Sequence, residues 1–343
     1  MEPVMRSLLL IAGFALTVAA SHASVRPRKP WLGVHFLINS EADLDTLARQ
    51  VPDLAKVGVN TIIVETDYNY QFKSRPEMYD AEGVTFQGAR AFSEACRANH
   101  IRPIPEINCL GHQSWAQTTE ALLKVHPELD ETPGLFPNNK GIYCRSWCPL
   151  NPDLPGIVFP LVDELIDAFQ ADAFHVGMDE VFIIGADTCP RCHGKDPGEL
   201  FAKSVNDFHA HLRKKRVQMF MWADRLLDSK AIDSSEWEGV ANGTWTAIDR
   251  VPKDIVMCDW HYERRDDYPS LKLLSDKGFQ VWPSTFKDVG AATAFSNGGR
   301  ALKGKKCVGV LSTTWGDVKI DGIAAWPPLA AALLPWQKNP LEK

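Results

Sequence analysis

Beyond its N-terminus the chain has no apolar run long enough to cross a bilayer, which takes about 20 residues. The one candidate, Leu8 to Ala20, is too short for a span. It follows the cationic Arg6 and precedes Ser21-His22-Ala23, which has the small-residue character of a secretory cleavage site. Residues 1–23 are therefore expected to be a signal peptide. The mature chain, residues 24–343, is expected to be secreted or periplasmic, with no membrane span. Basic residues are not in excess either. A net charge of -6 leaves no cationic footprint, so nucleic acid is not an expected partner. The first strand-like run continues as LGVHFLINSEAD (Leu32–Asp43), without the glycines of a phosphate-binding loop. That argues against an open dinucleotide-binding sheet. No repeat, linker or low-complexity tract divides the mature chain, which is read as one domain.

What is present is a regular alternation of strand-like and helix-like segments. The strand patterns are Trp31–Ile38, Asn60–Thr66, Ile101–Ile107, Ala173–Met178, Val217–Ala223, Ile255–Trp260, Phe279–Ser284 and Val308–Trp315. Helical periodicity covers Ala42–Val57, Gly88–Asn99, Leu154–Gln170, Pro197–Arg213, Tyr268–Lys277, Val289–Leu302 and Ile323–Leu334. The segment from Leu226 to Asp254 is irregular. Eight strands with intervening helices predict an α/β fold, a single (β/α)8 TIM barrel. The long stretch from Cys109 to Pro152, rich in Pro, Asn and Trp, reads as an active-site loop.

Barrel enzymes gather their chemistry at the C-terminal ends of the strands. The polar residues at those ends are Asp67, Glu106, Asn108, His112, Asp179, Glu180, Asp224, Asp259, His261, Tyr262, Trp315 and Asp317. Carboxylates and aromatics suit a neutral, hydroxyl-rich ligand better than a phosphate. The most informative segment is FHVGMDEVF (Phe174–Phe182), where a buried-strand pattern ends in adjacent acids, Asp179 and Glu180. Burial disfavours ionising both, so one is expected to keep its proton near neutral pH. A protonated acid beside an ionised one is what glycosidic bond cleavage requires. The plain alternative is an acid pair that caps a helix or holds a salt bridge. Asp-Glu also occurs at Asp130-Glu131 and at Asp163-Glu164, the latter on a helical face.

Eight cysteines remain in the mature chain. Cys144 with Cys148, and Cys189 with Cys192 in CPRC, can form a four-thiolate zinc site or disulfides, and an oxidising compartment favours disulfides. Cys96, Cys109, Cys258 and Cys307 lie in strand or helix patterns, where buried free thiols are expected.

Four segments, in order, resemble the catalytic domain of family 20 glycoside hydrolases, the β-N-acetylhexosaminidases. They are TDYNYQF (Thr66–Phe72), PIPEINCLGH (Pro103–His112), HVGMDE (His175–Glu180) and STTWGD (Ser312–Asp317). The resemblance implies a retaining, substrate-assisted, exo-acting mechanism on a saccharide bearing a 2-acetamido sugar, with no cofactor and no metal. The sugar's own acetamido oxygen attacks the anomeric carbon, so the protein supplies no nucleophile. Glu180 would be the general acid and then base, while Asp179 would orient the acetamide. His175 would support the acid pair. Tyr262 would bond the acetamido oxygen, Trp260 and Trp315 would line the pocket, and Asp317 would meet outer hydroxyls. Asp67, His112 and Asp224 complete the expected site. Two features depart from the family pattern: the first strand lacks the usual sugar-gripping Arg, which His35 could replace, and the barrel pattern starts at Trp31 without the usual preceding α/β domain. Competing expectations are a retaining glycosidase with a protein carboxylate nucleophile (Glu180 with Glu106 or Asp259), a non-catalytic carbohydrate-binding barrel, and a zinc-dependent hydrolase.

Overall fold

A computed structural model describes residues 29–302 and 306–337; the expected signal peptide, residues 1–23, lies outside them. The apolar runs become strands β1 (Trp31–Leu37), β2 (Thr61–Glu65), β3 (Arg102–Cys109), β4 (Ala173–Gly177), β5 (Gln218–Trp222), β6 (Val256–Trp260), β7 (Gln280–Thr285) and β8 (Gly309–Thr313). Each pairs in parallel with its sequence neighbours, and β8 closes onto β1. The chain is thus a (β/α)8 TIM barrel.

Besides a single turn at Ala121–Val125, the helices are α1 (Glu41–Lys56), α2 (Phe86–Ala98), α3 (Leu154–Phe169), α4 (Pro197–Lys214), α5 (Pro269–Asp276), α6 (Val289–Ala301) and α7 (Pro327–Gln337). Four begin where the sequence provides a side-chain acceptor for a free backbone N–H. Ser40 accepts from Asp43, Thr85 from Gly88, Asp196 from Glu199 and Asp288 from Ala291. The last helix starts later than its apolar pattern predicts. Pro327 forces Trp326 into an extended conformation, so Ile323–Ala325 is only a 3-10 turn. The irregular stretch after β5 holds 3-10 turns at Asp224–Leu226 and Thr244–Asp249 in place of a crossover α-helix. No helix among the described residues is long and apolar enough to cross a membrane.

Alternation along the strands separates two cores. Val34, Phe36, Ile62 and Val64 belong to the large cluster beneath the helices. The other parity fills the barrel in layers. At the base, the rings of Trp31, Phe220 and Trp282 meet at 5.5–5.9 Å. Gly33 makes room for them, since a Cβ there would lie 2.4 Å from the Trp282 ring. Ile63, Ile104, Cys258 and Leu311 come next. Above them the filling turns polar, with His35, Glu65, Glu106 and His175 all buried. His35 Nε2 lies 2.7 Å from Glu65 and 3.3 Å from Glu106, and His175 Nδ1 lies 2.7 Å from Glu106. Buried charges persist only when paired in this way. Burial works against a charged His35, but Glu106 and Glu65 outweigh it and raise its pKa to about 10. This charged layer is the floor of the candidate site.

Candidate active site

Asp179 and Glu180 leave the end of β4 on strained backbone. Gly177, Met178 and Glu180 all have positive φ, at 62°, 67° and 50°. Gly177 is required there, because a Cβ would sit 2.5 Å from Asn108 Oδ1. Asp67, Leu110, His112 and Trp315 share this left-handed conformation, at φ of 47–67°. Strain of this kind, about 1–3 kcal/mol per residue, persists where the surroundings enforce it and clusters at functional sites.

The kinked strand end delivers the two carboxyls to different surroundings. Asp179 is 4% exposed, and its Oδ1 accepts from Asn108 Nδ2 at 2.7 Å. His112 Nε2 stands between the pair, 3.4 Å from Asp179 Oδ2 and 3.2 Å from Glu180 Oε2. Burial pushes the Asp179 carboxyl up, but the His112 charge and the bonds from His112 and Asn108 more than reverse it, so its pKa is lowered. Burial likewise disfavours charge on His112, yet Asp179 and Glu180 hold its pKa well above that of a free imidazole. Asp179 is therefore held ionised, facing a cationic His112. Asn108 is itself fixed, its N–H donating to Asp67 Oδ1 at 2.7 Å and its Oδ1 accepting from Met178 N at 3.2 Å.

Asp224 accepts from Glu180 N at 3.0 Å and from Arg225 Nε at 2.6 Å. Burial outweighs Arg225 and raises its carboxyl to about 6. Arg225 Nη2 donates to the carbonyls of Glu236, Trp237 and Gly239, tying the loop after β5 to Glu180.

Opposite the acids stands an aromatic wall. Trp260 stacks on Tyr262 at 5.0 Å, and Trp315 Nε1 donates to the Tyr262 hydroxyl at 2.5 Å. Trp315 also packs on His35 and Trp222, at 4.7 and 5.1 Å. A second aromatic group, not singled out from sequence, rims the acids on the solvent side. Trp115, Tyr143 and Trp237 are 55%, 37% and 46% exposed. Trp115 stacks on His112 at 6.0 Å, and Tyr143 meets Trp115 and Trp237 at 5.2 and 4.9 Å. Phe182 closes the group against Trp237 at 5.1 Å. Their sequence signal was exposed aromatics in long loops, which has no periodicity to read.

The fold thus brings together Asp179, Glu180, His112, Asp224, Trp260, Tyr262 and Trp315. Other expected residues stand elsewhere. Asp67 reaches the site only through Asn108. His175 pairs with Glu106 in the floor instead of supporting the acids directly. His35 is wholly buried beneath Trp315, so it does not take the place of the missing Arg. Asp317 is largely exposed, pairs with Lys287 at 3.4 Å, and lines a shallow cavity of about 510 Å³ with Lys287 and Trp326. Asp259, one of two partners considered for a protein nucleophile, turns toward the helices and accepts from Ser270 Oγ at 2.7 Å. Glu106, the other, is held in the floor by two histidines. Neither the favoured disulfides nor the alternative quartet of Cys144, Cys148, Cys189 and Cys192 forms. All eight cysteines are free thiols. Cys144 Sγ contacts the Glu180 carbonyl at 3.4 Å, while Cys148, Cys189 and Cys192 cluster with Glu131.

The family model for the catalytic domain of glycosyl hydrolase family 20 matches residues 48–332. Among sequence relatives, lacto-N-biosidase of Bifidobacterium bifidum is 22% identical over 257 residues, covering 70% of this chain and 22% of that protein. β-Hexosaminidase of Emericella nidulans is 26% identical over 209 residues, covering 54% and 29%. The chain thus spans under a third of the length of either relative. Among solved structures, Flavobacterium johnsoniae chitobiase superposes with a TM-score of 0.65 at 20% identity, over 90% of this chain and 48% of that one. An exo β-N-acetylglucosaminidase from Vibrio harveyi, solved with N-acetylglucosamine, gives 0.64 at 15% identity, over 92% and 55%. At these identities the structural likeness speaks for the fold.

Proposed function

Because the chain belongs to glycosyl hydrolase family 20, we propose that it removes terminal β-linked N-acetylhexosamine from glycosides in an exo-acting, retaining reaction assisted by the substrate's own acetamide. Asp179 accepts the acetamide N–H and steadies the positive charge that develops as its oxygen attacks the anomeric carbon. Glu180 gives a proton to the departing oxygen and then takes one from water. His112 and Asn108 position Asp179. Tyr262 donates to the acetamido oxygen, with Trp260 and Trp315 as apolar walls against the sugar. Asp224 holds the backbone of Glu180.

The single observation that carries this reading is the asymmetry of the acid pair: one carboxylate buried and kept ionised by Asn108 and His112, its neighbour placed toward the solvent side. A charged group fixed before the reaction suits a cation forming beside it. A protein nucleophile has less support, since Asp259 faces the helices and Glu106 is ion-paired below. Export of the mature chain, with removal of residues 1–23, remains part of the proposal. The test is turnover of an aryl β-N-acetylglucosaminide by Glu180→Gln. We expect a loss of about 10²–10⁴-fold, the usual worth of general acid–base catalysis. Undiminished turnover would refute the assignment.

A further inference from the structure

The loops after β3 and β4 meet in a buried cluster that includes neither acid of the pair. There Cys148 comes from the first loop and Cys189 and Cys192 from the second, joined by Glu131 from the first. All four side chains are wholly buried, and their ligand atoms lie within 4.8 Å of one another. Cys148 Sγ and Cys192 Sγ are 3.2 Å apart. We propose that these four residues bind one zinc ion that fastens the two loops together.

Several features fit a metal better than a disulfide. The three sulfurs and one carboxylate oxygen form a closed four-ligand set, which is what structural zinc takes. Tetrahedral ligands at about 2.3 Å from zinc stand about 3.8 Å apart, which the 4.8 Å limit on the spread of these atoms accommodates. Cys189 and Cys192 have the two-residue spacing of thiolate pairs at zinc, and Cys192 N–H points to Cys189 Sγ at 3.4 Å. That bond lends positive charge to a sulfur that must lose its proton. Glu131 is prepared in a similar way. Its Oε1 accepts from Gly185 N and Ala186 N at 2.6 and 2.9 Å, which fixes the carboxylate, while Oε2 is buried with no hydrogen-bond partner. A buried carboxylate oxygen without a donor needs a cation or a proton beside it. Thiolate-rich sites select zinc over magnesium or calcium.

The location gives the ion a purpose. The loop after β3 carries His112, Trp115 and Tyr143, and the loop after β4 follows Asp179 and Glu180 directly. One ion joining them fixes the acids against the groups that hold them. It takes no part in the reaction.

The experiment measures metals and thiols in the full-length protein purified from zinc-replete medium without chelator. One zinc per chain is expected, with every cysteine titrating as a free thiol in denaturant plus chelator. Cobalt exchanged into the site should give thiolate-to-metal charge-transfer absorption. Cys189→Ser should lose the zinc, and Cys307→Ser should keep it. Wild-type protein free of zinc, with two fewer titratable thiols and a Cys148–Cys192 bridge in peptide maps, would overturn the proposal. So would zinc retained at full occupancy in Cys189→Ser. The wild-type metal and thiol counts decide the matter even if the variant does not fold.

Discussion

Asp179 owes its ionised state to two neighbours, and Asn108 is the one bound to it at 2.7 Å. Removing that donor leaves burial less opposed, so the Asp179 pKa must rise, with His112 still holding it down. Asn108→Ala should therefore move the acid limb of the kcat/KM profile to higher pH and lower its plateau about 10-fold, the worth of one hydrogen bond to a charged group. A profile of unchanged shape would show that Asn108 does not act through Asp179. Sequence made the acid pair legible because two acids at the end of an apolar strand are conspicuous. It also placed Asn108 and His112 at strand ends, but which side chain touches which carboxylate depends on a chain reversal that no periodicity encodes. Glu131 shows the limit more sharply. It sits in one of three Asp-Glu pairs, and only the approach of another loop sets it apart.

Among the elements, the end of β4 is the one whose backbone the proposed chemistry needs. Gly177→Ala meets two penalties, a positive φ of 62° and a Cβ 2.5 Å from Asn108 Oδ1. The combined cost should be about 2–4 kcal/mol, measurable by denaturant unfolding. Activity should fall further than stability, since the displaced group is the one holding Asp179. Met178 poses the opposite case. Glycine would relieve its left-handed backbone by about 1–3 kcal/mol. A wholly buried Met side chain is worth about 2–5 kcal/mol on truncation, so Met178→Gly should destabilise on balance. All eight strands were readable as apolar runs, and their ends fall within two residues of expectation, because burial on both faces makes such strands continuous. The start of α7 was misplaced because apolar periodicity persists through Pro327, whose ring excludes helix at Trp326.

At the scale of the whole molecule, charge layers join the barrel to its loops. Glu238, in the loop after β5, lies 2.7 Å from His261 and 2.8 Å from Arg265, and it accepts from Tyr262 N at 3.3 Å. Burial opposes charge on Glu238, but His261, Ser234 and Arg265 lower its pKa to about 2; burial also opposes charge on His261, but Asp259 and Glu238 raise it to about 9. A lowered acid contributes stability above its unfolded pKa and loses it as pH falls through the folded one. A raised histidine contributes below its unfolded pKa and loses it as pH rises through the folded one. The two contributions coexist between about pH 4.5 and 6.5 and fade beyond about 2 and 9. Glu238→Gln should cost about 3 kcal/mol near pH 6, as breaking a buried pair does, and flatten the fall in Tm toward pH 9. Unchanged Tm profiles would contradict it. The architecture, one closed barrel with its polar residues at one end, was legible because alternation and strand number determine it. The aromatic rim and the paired floor were not, since both depend on residues far apart in the chain. On the proposed mechanism the substrate's acetamide does the work of a nucleophile, steadied by Asp179. The most direct test compares kcat/KM of the purified protein on an aryl β-N-acetylglucosaminide and on the matching β-glucoside. Turnover confined to the acetamido sugar, and lost by about 10²-fold or more in Asp179→Asn, is predicted. Comparable turnover of both sugars, or an Asp179→Asn variant as active as the wild type, would contradict it.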